Sequence, residues 1–122
     1  MRIVGAKGEK IASDFLLSQG YQIITRNYAC RSGEIDIVAA EKLPDKKVLA
    51  FVEVKYYKEN SLRTLRAAVD PAKQKKIIRA ARHYLQANKL NDSYVRFDAV
   101  LISFSPNNAV QNIELIKDAF RS

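Results

Sequence analysis

The chain of 122 residues has one cysteine, one histidine, one methionine and no tryptophan. A lone Cys30 excludes a disulfide within the chain and any cysteine cluster for a metal, so it reads as structural. His83 has no partner at the spacing of a metal site or a catalytic triad and is expected at the surface. No stretch approaches the about 18 consecutive apolar residues of a membrane span. The opening "MRIVGAKGEK" has no apolar run of signal-peptide length. A soluble, cytoplasmic protein with no membrane partner is therefore expected, and a reducing compartment suits its single thiol. Repeats, low-complexity segments and linkers are also missing. Residues 1–122 read as a single domain, long enough to bury an ordinary core.

Acidic residues are scarce: 13 Asp and Glu against 21 Lys and Arg, a net charge of +8. The imbalance is local. Residues 55–82 hold nine basic and two acidic side chains and so carry +7 of that charge. A one-sided basic field points to an anionic partner, DNA or another nucleic acid, or else is a solvated basic face.

Apolar residues at helical spacing predict a helix over 4–19, with Val4, Gly8, Ile11, Ala12, Phe15 and Leu16 on one face and Gly20 as the stop. "YQIITRNY" (21–28), "GEIDIVAAE" (33–41) and "VLAFVEVKYY" (48–57) read as strands, the last two joined by a Pro-Asp turn. Residues 58–69 read as irregular. Asp70-Pro71 predicts a second helix, capped by Asp70 and running to about Asn88, with Ile77, Ile78, Ala81, Tyr84 and Leu85 buried. Strands over 95–104 and 110–116 follow, and the last residues read as a short helix or a frayed end. The fold class is α/β (α+β), in the order α-β-β-β-α-β-β, with one mixed central sheet flanked by helices.

The stretch "FVEVK" (51–55) sets two charges into a core strand. With the turn centred on Pro44-Asp45, residues whose numbers sum to 89 lie opposite each other. Glu34 then faces Lys55 and Asp36 faces Glu53, all on one face, with Ile35, Ile37, Val52 and Val54 on the other. Opposed carboxylates repel. They make sense around a hard cation such as Mg2+ (or Mn2+), which takes oxygen ligands and often only one or two carboxylates. Lys55 would then assist the attacking water or stabilise charge at phosphorus. The alternative is a solvent-facing hairpin whose charges simply pair, Glu34 with Lys55.

Asp36 followed by Glu53-Val54-Lys55 resembles the D…(D/E)-x-K signature of the restriction-endonuclease-like superfamily, and the element order resembles its core. "GAKGEKIA" (5–12), "RNYACRSGEIDIVA" (26–39), "FVEVK" with "AVDPAKQKKI" (68–77), and "RFDAV" (96–100) resemble the YraN-like family of small bacterial proteins. The chain departs from that family at Tyr56-Tyr57-Lys58, where an arginine commonly follows E-V-K. The resemblance implies a nuclease-like fold, metal binding by Asp36, Glu53 and the carbonyl of Val54, and Lys55 as the catalytic lysine. The chain is also similar to archaeal Holliday-junction resolvases, which add a glutamate on the first helix; Glu9 matches it.

Each remaining candidate has two readings. Glu9 either turns inward to hold a water at the site or stays a surface residue near a helix start. Gln74 either supports the water or the lysine, or satisfies backbone at the helix start. Lys73 reaches a phosphate or is solvated, and Lys75, Arg79 and Arg82 track a phosphate backbone or form a solvated face. Tyr56 and Tyr57 stack on an unpaired base, or one of them is core. Arg96 and Asp98 share a strand face and are expected to pair. Two functions follow: a metal-dependent endonuclease acting on DNA, including branched or damaged DNA, or a nucleic-acid-binding module on a nuclease fold. A symmetric homodimer would suit a junction cutter.

Overall fold

The structure, a computed structural model, describes residues 2–58 and 69–122, with side chains from residue 7 onward. Helix α1 (Arg2–Ser18) leads into β1 (Tyr21–Cys30), β2 (Gly33–Lys42) and β3 (Lys47–Lys58). Helix α2 (Pro71–Ala87), β4 (Tyr94–Phe104) and β5 (Val110–Phe120) complete the order. The five strands form one sheet in chain order, β1 to β5. Every neighbouring pair is antiparallel except β3 and β4, which run parallel, so the α2 segment is the crossover between them. No helix among the described residues is long and apolar enough to cross a membrane.

Strand period places the core on both faces of the sheet. Ile37, Ala39, Ala50, Val52, Val54, Val100 and Ile102 meet Ala12 and Leu16 of α1. Val38, Ala40, Leu49, Phe51, Ala99 and Leu101 meet Ile77, Ala80, Ala81 and Tyr84 of α2. Helix α2 begins as its sequence dictates: Asp70 accepts the Lys73 N–H at 2.9 Å, and Pro71 follows the cap.

The β2–β3 register matches the sum of 89, from Lys42 opposite Lys47 to Ile37 opposite Val52. The turn is Leu43-Pro44-Asp45-Lys46, with the Leu43 N–H on the Lys46 carbonyl at 2.8 Å. Pairing ends at Ile37, so the expected ladder pairs Asp36–Glu53 and Glu34–Lys55 do not form. Ile35 accordingly departs from Ile37 and joins the α2-side core. A second difference is at the end of the chain: β5 runs on to Phe120, where a short helix or frayed end was expected. Phe120 gives this extension its reason, being buried and stacked on Phe97 at 5.0 Å. Of the segment expected to be irregular, Lys58 belongs to β3, Val69 is a buried residue just before α2, and residues 59–68 lie outside the described residues.

Candidate functional site

Asp36 and Glu53 meet where β2 and β3 stop pairing. The Val54 N–H, left without a ladder partner on β2, donates to Asp36 Oδ2 at 2.8 Å. Glu53 shares strand parity with Leu49 and Phe51 and so faces α2; it is 4% exposed. Its carboxyl is pushed up to about 8, first by burial and then by the charge of Asp36 and a hydrogen bond with it; Lys73 and Lys55 oppose the rise. Lys55 Nζ and Lys73 Nζ each lie 3.6 Å from Glu53 Oε2. Glu34 is exposed, and the ion-pair partner of Lys55 is Glu53.

Glu9, Asn27, Glu34, Ile35 and Asp36 line one cavity of about 310 Å3. Glu9 thus shares a cavity with the aspartate. Asn27, which the sequence reading passed over, holds φ +57°, a conformation asparagine tolerates better than most residues. Tyr56 stands beside this group. Burial, followed by the charges of Asp36, Glu9 and Glu53, pushes its phenol up to about 12. Its ring lies on α1 at Gly8, where a Cβ would fall 1.9 Å from the ring. Tyr56 and Tyr57 are both half-buried, packed against opposite cores.

The other candidates separate. Gln74 points its amide at the chain entering α2, donating to the Val69 carbonyl at 2.8 Å. Lys75, Arg79 and Arg82 line a cleft of about 220 Å3 with Ile78 and Ser122, whereas Lys73 lies with the carboxylates. His83 is exposed and hydrogen-bonds the Tyr28 hydroxyl, and Cys30 packs at the edge of the α2-side core.

The "RFDAV" segment builds a buried polar network on the α1 face. Asp98 is fully buried and accepts from Arg96 Nε at 2.8 Å, Tyr21 Oη at 2.9 Å and the Asp118 N–H at 3.0 Å. Arg96 also reaches Glu41 at 2.7 Å, and Lys117 reaches the other Glu41 oxygen at 2.5 Å. Burial works against the Glu41 charge, but the hydrogen bonds from Lys117 and Arg96 outweigh it and hold the carboxyl below its ordinary range. The sequence pairing of Arg96 with Asp98 is observed; the contributions of Tyr21, Glu41 and Lys117 come from distant strands and have no local signal.

The carboxylate pair suits a hard cation by its donor chemistry. Its donors are oxygens, and the two carboxyls lie close enough that one favours keeping a proton beside the other. A divalent cation would supply that positive charge instead. Among the described residues, no three His, Cys, Asp or Glu side chains gather as a metal-ligating group. The protein's share of a coordination shell would therefore be the two carboxylates and backbone oxygen.

A family model described as "Uncharacterised protein family UPF0102" matches residues 8–102. A UPF0102 protein of Clostridium perfringens is 38% identical over 118 residues, covering 97% of this chain and 93% of that protein. One from Pelobacter propionicus is 43% identical over 119 residues, covering 98% and 83%. One from Caldicellulosiruptor bescii is 40% identical over 121 residues, covering 98% of each chain. The matched span runs from Gly8 on α1 through Asp36, Glu53 and Lys55 to Ile102 of β4, and the chain belongs to the UPF0102 (YraN-like) family.

Proposed function

We propose that the chain is a metal-dependent endonuclease that hydrolyses phosphodiester bonds in DNA, branched and damaged DNA included. The observation that carries this reading is the pair of the half-buried Asp36 and the buried Glu53, with Lys55 against it. Such a pair is costly in an apoprotein and useful around a cation. Asp36, Glu53 and the Val54 carbonyl would hold Mg2+ or Mn2+, which when bound polarises the phosphate and the attacking water. Lys55 places an ammonium where negative charge grows on the phosphate oxygens. Glu9, across the shared cavity from Asp36, orients the water. Gln74 keeps the start of α2 in place through Val69. Lys75, Arg79 and Arg82 hold the nucleic-acid backbone.

The test is cleavage of linear, flapped and four-way-junction DNA with Mg2+ and with Mn2+. Wild type should cut, and Lys55→Ala should not. Activity surviving in purified Lys55→Ala would sink the mechanism. A binding module is the second reading, favoured by a basic cleft that stands apart from the carboxylates and needs no cation. It expects DNA binding without cleavage, unchanged by Lys55→Ala and lost on reversing Lys75, Arg79 and Arg82 to Glu.

A further inference from the structure

Two lysines, not one, touch the buried glutamate. Lys55 comes from β3, two residues after Glu53. Lys73 comes from the first turn of α2, and its ammonium stands at the same 3.6 Å from the same oxygen. Their exposures also match, 36% and 39%, so each keeps one side open to solvent.

The placement of Lys73 is built by several groups. Asp70 holds the Lys73 N–H, which fixes where the first turn of α2 begins. Gly33, at the start of β2, lets that helix come close; a Cβ there would meet the Lys76 carbonyl at 3.1 Å. Lys73 and Lys76 then line a cleft of about 200 Å3 with Gly33 and Glu34. Lys73 therefore both contacts Glu53 and lines an open cleft that it shares with Lys76 and Glu34. Lys75 is only two residues from Lys73, yet it lines the separate cleft with Arg79 and Arg82.

We propose that Lys73 is a second lysine of the carboxylate site, a positioning residue that orients Glu53 jointly with Lys55 and offers positive charge to a phosphate in the Lys73–Lys76 cleft. This rests on the metal-dependent reading of the site. It gives the D-P-x-K stretch a role there, distinct from the backbone-holding role of the outer face of α2. An ammonium beside a ligand carboxylate competes with a cation for it, so its loss favours the cation.

The experiment is Mn2+ titration calorimetry on wild type, Lys73→Ala, Lys73→Arg, Lys55→Ala and Lys75→Ala, alongside cleavage kinetics. Lys73→Ala and Lys55→Ala should each tighten Mn2+ several-fold, Lys73→Arg should restore the wild-type value, and Lys75→Ala should not change it. In turnover, Lys73→Ala should lower kcat by about a hundredfold with little change in KM. Lys73→Met, which keeps the aliphatic stem, repeats the measurement if the alanine variant unfolds. Mn2+ affinity in Lys73→Ala equal to that in Lys75→Ala overturns the assignment and leaves the reaction standing. Wild type that cuts no DNA while the lysine pattern in Mn2+ affinity persists overturns the reaction and leaves the assignment standing. Wild type that takes up no Mn2+ overturns both.

Discussion

At the scale of single residues, Asp36 has two tasks. It is one half of a carboxylate pair, and it satisfies the Val54 N–H where the ladder ends. Asn can accept that bond without the charge, and Ala cannot. Asp36→Asn should leave the apoprotein as stable as wild type or more stable, while Asp36→Ala should cost about 1–3 kcal/mol by orphaning a buried donor. Urea unfolding of both variants in EDTA checks this, and equal losses would remove the Val54 contact from the account. Glu53 makes a pH prediction. Its folded-state value is raised to about 8, above its unfolded value, so folding takes up a proton between the two. The stability it contributes is complete below the ordinary glutamate range and is lost as pH rises through about 8. The slope is at most about 1.4 kcal/mol per pH unit. Unfolding free energies in EDTA from pH 5 to 9 should fall with pH in wild type and stay flat in Glu53→Gln.

At the scale of elements, each helix brings one group to the splayed end of the hairpin. Helix α2 brings Lys73, and α1 brings Glu9 together with the surface on which Tyr56 lies. Gly8 is a poor helix residue kept because the tyrosine ring occupies the place of its Cβ. Gly8→Ala should therefore cost about 1–3 kcal/mol through overpacking. In a Tyr56→Ala background the same change should reverse sign and stabilise by up to about 1 kcal/mol, the ordinary helix preference for alanine. A double-mutant cycle in thermal or urea unfolding reads the difference, and identical effects in both backgrounds would mean that the ring and the helix are not in contact. The element boundaries were legible because caps and turns are local chemistry: Asp70-Pro71 opened α2 and Pro44-Asp45 centred the hairpin. The extension of β5 to Phe120 was not, because it depends on Phe97 from another strand.

At the scale of the whole molecule, the Arg96–Asp98 network ties β1, β2, β4 and β5 together from the face opposite Glu53. Removing the fully buried Asp98 would empty its place in the core and take one acceptor each from Tyr21, from the half-buried Arg96 and from the Asp118 N–H. Asp98→Ala should cost about 3–5 kcal/mol. The folded fraction should keep its Mn2+ affinity, because the network lies on the other side of the sheet. Denaturant unfolding and calorimetry together test this; a small stability loss with altered Mn2+ affinity would join the two sites.

The hairpin register, the cap of α2, the parity that puts Glu53 and Lys55 on one strand face and the concentration of positive charge were all determined by the sequence alone. Each depends on neighbours a few residues apart, or on the strict alternation of a strand. Tertiary structure decided where that alternation stops. Pairing ends at Ile37, Ile35 crosses to the other core, and Asp36 meets Glu53 through side chains instead of across a ladder. It also decided which of the basic residues on α2 belongs to the carboxylates, since helix rotation and the close approach at Gly33 depend on packing across the sheet. Contacts between residues far apart in sequence are set by how whole elements pack, and neither spacing nor composition carries that information.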